Sequence, residues 1–298
     1  MVDRDMWRTG SMIAPGVFAA ARNTSGARRL LIGALLLPAG LIAGPAAHAE
    51  TATLTASYTI SIAGVTIGRA DVTSRFTEKG YAAAINGSTW GISRFVSDAR
   101  ASLAGSGRIS GSSVVPGTYN FDTSEGDFTT QVRMSMRGGS VVQLEAFPNL
   151  IEAADRVPLT GRHKNNVVDP VGAFFVALDQ PGPPDGPRVC NRTVKVFDGW
   201  QRYDIRTSYR ETKNVTGGYT GDVIVCAARY VPIAGHRPSR ESVEYMANNK
   251  RLEIWMAPVE GTNLLIPYRI LIGTKVGDLV VAARQFETSG SIRQASTN

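Results

Sequence analysis

Few residues in this chain combine type and spacing in a way that suggests chemistry. His236 stands in Ala234-Gly235-His236-Arg237-Pro238-Ser239 and is the one histidine in a motif-like loop. An imidazole with its ordinary pKa of about 6.5 is the natural acid or base near neutrality. With Arg237 it could also hold an anion, and the simpler reading is a loop histidine bonded to backbone. A hydrolase triad would need a nucleophile on a sharp turn, a base and an orienting carboxylate. No Gly-x-Ser-x-Gly occurs, so that case rests on His236 alone. Asp198 could join a second carboxylate in glycosidic cleavage, but Asp198-Gly199 between two strand-like runs is first a hairpin signal. Arg202, Arg206 and Arg210 share a strand face with Asp204. They read either as a solvated face or as part of an anion site made of Arg202, Arg206, His236 and Arg237.

A second set is aromatic. Trp90, Trp200 and Trp255 with Tyr58, Tyr119, Tyr203 and Tyr268 could line a cavity, with Phe174 and Phe175 closing it. Core packing would use the same residues. Cys190 and Cys226 are the only cysteines, and with the scattered His163 and His236 they lack metal-ligand spacing. No metal and no cofactor are expected. In an oxidising compartment the two thiols pair most simply with each other.

These residues must be positioned by strands. Residues 52–62 alternate, with Leu54, Ala56, Tyr58, Ile60 and Ile62 on one face and threonines and serines on the other. Ala63-Gly64, Gly138-Gly139 and Asp198-Gly199 are turn signals between such runs. About a dozen strands follow one another through tight turns, including a three-stranded meander that carries the cysteines. The runs 242–247 and 250–257 read as a hairpin about Asn248-Asn249. Pro267 in mid-strand implies an edge or a bulge. One helix is expected, over 169–178, with Asp169 as N-cap, Pro170 first, and Val171, Phe174, Phe175 and Leu178 as an apolar stripe. The fold class is therefore all-β: a large curved antiparallel meander forming a barrel or half-barrel, with one amphipathic helix near the middle of the chain.

The N-terminus reads differently. Five arginines precede the apolar run LLIGALLLPAGLIAG, and Ala47-His48-Ala49 then follows before Glu50. Basic region, apolar region and small-x-small site make a secretory signal peptide over 1–49, cleaved after Ala49. Its removal takes five arginines and two aspartates from the chain's 32 basic and 25 acidic residues, leaving 27 against 23. That modest excess shows no basic block, so nucleic acid is not an expected partner. The remainder divides into a single β-rich domain over 50–288 and a polar, flexible tail over 289–298.

The opening YTISIAGVTIGRADV, the Asp169-Pro170 start, VFDGWQRYDI, the VPIAGHRP loop and LEIWMAP…LLIPYRILI…G together resemble the domain-of-unknown-function 3108 family of exported Gram-negative bacterial proteins. The resemblance implies a periplasmic curved antiparallel protein, distantly similar to the open barrels that carry lipoproteins. It supplies no catalytic residues. The expectation is thus a non-catalytic periplasmic protein of the cell envelope, peripheral to a membrane at most. It would bind a lipid, an acyl chain, a lipoprotein or an envelope glycan through Tyr58, Trp90, Phe174, Phe175, Trp200, Tyr203, Trp255 and Tyr268. Two alternatives stand beside it: a hydrolase of an envelope polymer with His236 as acid or base, and a structural or partner-binding scaffold.

Overall fold

The computed structural model describes residues 51–91, 98–179 and 185–292; the expected signal peptide lies outside them. Seven strands follow in succession: β1 (Ala52–Ile62), β2 (Val65–Phe76), β3 (Gly80–Thr89), β4 (Arg100–Ser110), β5 (Ser113–Glu125), β6 (Phe128–Arg137) and β7 (Ser140–Phe147). A two-residue strand, β8 (Val176–Ala177), and a short helix, α1 (Gly186–Cys190), precede a second run. That run is β9 (Arg192–Phe197), β10 (Arg202–Val215), β11 (Gly221–Ala234), helix α2 (Glu241–Asn248), β12 (Leu252–Pro258), β13 (Leu264–Thr274) and β14 (Gly277–Ser289). All belong to one antiparallel sheet, in which β1 lies between β2 and β14 and so joins the two meanders. β7 and β9 are its edges.

Local chemistry accounts for the turns and bends. Ala63 and Gly64 both have positive φ, 48° and 83°, and so do Gly138 and Gly139, 57° and 78°. Paired positive φ matches the twist of two-residue hairpins. Pro267 lacks an N–H for the ladder, and the register between β12 and β13 shifts beside it, at Trp255/Met256. Pro116 is accommodated in the same way: the register shifts opposite it at Ser106/Gly107, and β5 runs on.

The sheet curls until its two halves share a core. Val132 and Met134 of β6, Phe76 of β2, Leu54 of β1, Ile266 of β13 and Phe197 of β9 belong to one buried cluster. Gly199, after β9, abuts β6: a Cβ built on it would stand 2.9 Å from Val132. Trp200 Nε1 donates to the carbonyl of Pro148, just past β7, at 2.9 Å. The edges themselves do not pair. The chain between them fills the gap: Val167 donates its N–H to Gly139 O, and Val168 makes a parallel bridge with Val196 of β9. The half-barrel expected of a curled meander is formed, and it is not closed.

The helix expected over 169–178 is not formed. Asp169 does cap, its Oδ1 accepting the N–H groups of Val171 at 2.8 Å and Gly172 at 3.0 Å. Only a 3-10 turn follows, Gly172–Phe174, and Phe175 is already extended, with φ −97° and ψ 134°. A short helix is marginal without packing, and an interior glycine weakens it by about 1 kcal/mol. Tertiary packing favours the extended path. Val171, Phe175 and Ala177 enter the main core, Val176 packs on the opposite side of the sheet, and β8 pairs with Leu264 and Leu265. The hairpin expected about Asn248-Asn249 is also corrected, since 242–247 lie in α2. Three alternations are too few to separate strand from helix. Glu241 and Glu244 suit a first helical turn, and the Asn249 side chain fixes the exit by donating to Gly273 O and accepting from Arg251 N. Finally, the start of the expected tail is ordered: β14 continues to Ser289 by pairing with Thr53, and Ile292 donates its N–H to Gly261 O, while 293–298 lie outside the described residues.

The disulfide joins Cys190 to Cys226, with Cα atoms 5.4 Å apart. In a plain meander β9 and β11 are separated by β10. Cys190 escapes that geometry because it ends α1, which lies over β10: Gly186 is pressed against the Tyr209 ring, and Thr207 Oγ1 donates to Cys190 O. The bond therefore reaches across the face of β10 to β11.

Candidate ligand-binding site

Two adjoining cavities lie along β9. The first is a pocket of about 220 Å³ on the face of β9–β13 that carries the disulfide. Its floor follows from the register. Val194 pairs with Ile205 and Val196 with Tyr203, so these four side chains share a face. Ile254 and Met256 extend that face across β12, and Ala173, Phe174, Val176 and Val189 form the roof. Among the described residues of the lining, Arg192, Tyr203 and Thr207 alone have side chains with polar oxygen or nitrogen atoms.

The second is an open cleft of about 1160 Å³ at one end of the half-barrel. Three turns form one wall, with Lys79 after β2, Arg108 at the end of β4, and Gly138-Gly139 after β6. The other wall is the free edge of β9 with α1, bearing Arg188, Arg192 and Lys195. Among the described residues of the lining Glu78 is the one acid. Among the described residues none of these five cations has a carboxylate partner. Arg192 and Val194 line both cavities. The Arg192 guanidinium donates from Nη2 to Arg188 O at 2.9 Å, while its buried Nε has no hydrogen-bond partner. Burial holds its pKa below the usual arginine value.

Of the eight aromatic candidates, Phe174 and Tyr203 line the apolar pocket and Phe175 borders the cleft. The other five lie outside both. Tyr58 and Tyr268 are core residues whose hydroxyls donate to Pro267 O at 2.7 Å and Gly217 O at 2.9 Å. Trp90 is 41% exposed, with the Arg69 guanidinium 3.4 Å from its ring centroid. Trp255 lies between Lys213 and Arg269, and Trp200 is held by Pro148 O. Phe175 packs edge-on against Phe76 at 5.6 Å and at a tilt against Tyr81 at 5.0 Å, filling the interior. The cavity expected in the sheet interior is thus filled, and the apolar pocket lies on the other side of the 170–176 segment.

The expected anion site is not assembled. Arg202 is buried in an ion pair with Asp204 at 2.6 Å, and Arg206 stands 3.9 Å from the same carboxylate. Arg237 pairs with Asp155 at 2.7 Å. These cations already have counter-ions. His236 is buried, which lowers its pKa, and its Nδ1 has no hydrogen-bond partner. The Ser239 hydroxyl donates to Asp155 rather than to the imidazole, so no nucleophile–base contact exists there. Asp198 accepts the N–H groups of Trp200 at 2.9 Å and Gln201 at 2.7 Å, which is the hairpin role. Among the described residues no group of three His, Cys, Asp or Glu side chains is placed to hold a metal, and no helix is long and apolar enough to cross a membrane.

A family model described as a protein of unknown function (DUF3108) matches residues 57–284. No curated protein matches the chain. Among solved structures, the crystal structure of a beta-barrel-like protein of domain of unknown function DUF1849 from Brucella abortus is similar over 81% of this chain and 98% of that one, with a TM-score of 0.43 and 10% identity.

Proposed function

The chain belongs to the DUF3108 family, and for this member we propose a non-catalytic role in the cell envelope: an exported periplasmic protein that takes the apolar part of an amphiphile into the pocket between β9–β13 and the 170–176 segment. One observation carries the reading, namely a pocket of about 220 Å³ whose lining is apolar but for Arg192, Tyr203 and Thr207. Apolar surface facing water is unfavourable, and an apolar guest that covers it removes that cost. The lining favours an acyl chain over a glycan, which would need converging hydroxyl and amide groups. Export rests on the sequence of 1–49. The hydrolase alternative is weakened by Ser239, whose hydroxyl is committed to Asp155.

The test is binding of an environment-sensitive apolar dye to the purified protein, with displacement by single-chain lipids, together with mass spectrometry of whatever copurifies. Saturable binding with displacement is expected. A dye that never binds the folded protein, with no copurifying lipid, would sink the reading. N-terminal sequencing of protein from the periplasmic fraction should begin at Glu50.

A further inference from the structure

We infer that the basic cleft is the headgroup site of that same amphiphile, and that the ligand is anionic, an acyl chain ending in a phosphate or carboxylate. The inference rests on the apolar-pocket reading and goes beyond it in assigning the charge of the head. The cleft lining carries five cations, Lys79, Arg108, Arg188, Arg192 and Lys195, against Glu78. That excess of four equals the excess of the whole chain after residue 49. Two further acids border the lining: the Asp179 carboxylate comes near Gly111 at the rim, and that of Asp169 near Gly172.

Placement matters more than number. Like charges held together without counter-ions repel one another, and an anion relieves that repulsion. Arg202, Arg237 and Arg251 are neutralised by carboxylates within the fold, whereas among the described residues the five cations gathered in the cleft are not. Arg192 lines both cavities at once, so its half-buried guanidinium stands where chain and head of a bound amphiphile would meet. Its buried Nε has a proton and no acceptor, and an oxyanion would supply one. Among the described residues β9 has no strand partner on its outer side beyond the bridge at Val168, so its edge also offers backbone groups to the cleft.

The experiment is dye displacement by two lipids of equal acyl length, lysophosphatidylglycerol and lysophosphatidylcholine, with inorganic phosphate as a third ligand read by thermal shift. The anionic lipid should displace the dye at a concentration about tenfold lower or better, the size of one charge-assisted contact. The ratio should fall toward one as salt rises. It should fall likewise in an Arg108→Gln/Lys195→Gln variant and in Arg192→Gln. A ratio is read because a partly unfolded variant would weaken both lipids alike. Equal displacement by the two lipids in the unaltered protein overturns the headgroup assignment and leaves the apolar reading standing. Stabilisation by phosphate while neither lipid displaces the dye would mean that the cleft takes a free anion, and overturns both. No dye binding at all overturns the apolar reading and the inference with it.

Discussion

A Cβ built on Gly105 would stand 2.8 Å from the Cβ of Val171. Gly105 of β4 therefore makes room for the 169–175 segment, which Gly172 also serves by lying against Tyr81 and Pro116. Asp169 fixes that segment by accepting the N–H groups of Val171 and Gly172.

Gly105→Ala should consequently destabilise the protein by about 1–3 kcal/mol, the usual cost of overpacking. The partner to relieve is Val171. Equilibrium unfolding in urea of Gly105→Ala, Val171→Gly, which alone removes the Cβ that is met, and the double variant should give a double-variant loss smaller than the sum of the singles. Strict additivity would show that the two do not share one space.

The fold was legible in the sequence to the extent that local rules decide it. Alternation in 52–62 and the positive-φ pairs at Ala63-Gly64 and Gly138-Gly139 specify strands and hairpins by themselves. The 169–178 segment misled because a sound cap, Asp169, was followed by a stripe whose burial is decided by two different sides of the sheet. The cleft was not legible at all. Its cations are single charges at 79, 108, 188, 192 and 195, gathered only when the sheet curls and β9 faces the turns of the first meander. Arg202 and Arg206 were visible as a spaced pair, but spacing along one strand could not show that Asp204 neutralises them.

The disulfide closes a loop of sequence separation 36. Chain entropy alone gives at most about 4 kcal/mol for such a loop. Reduction of the native protein should lower its urea midpoint accordingly. The Cys190→Ala/Cys226→Ala protein should already be destabilised and should not respond to reductant. A reductant effect in that variant would point to some other cause.

Asp169 predicts a pH dependence. It is fully buried, its Oδ2 has no hydrogen-bond partner, and desolvation raises its pKa from 3.8 to about 6. A carboxyl whose folded pKa lies above its unfolded value binds its proton more tightly when folded. Its stabilising contribution is present below about pH 4 and is lost as pH rises through 6. That shift corresponds to about 3 kcal/mol. Asp169→Asn keeps an oxygen acceptor and cannot ionise. Relative to Asp169→Asn, the natural protein should lose stability between about pH 4 and 6 in parallel urea titrations. Parallel curves across that range would refute a raised pKa.

The apolar pocket can be tested by filling it. Ala173 sits in the 3-10 turn of the roof and faces the space of about 220 Å³ bounded below by Val194, Ile205 and Met256. An aromatic ring at 173 would occupy volume now empty, without removing any contact of the main core, which Val171 and Phe175 supply from the same segment. Filling a cavity leaves stability unchanged or raises it, provided no rotamer is forced. Ala173→Phe should therefore keep its unfolding midpoint while its dye affinity falls at least about tenfold, more than 1 kcal/mol of binding free energy. Phe174→Ala changes the same roof in the opposite sense and should alter affinity while widening the pocket. Filling that left the dye affinity untouched would place the apolar guest elsewhere on the protein, and the assignment of the pocket would fall.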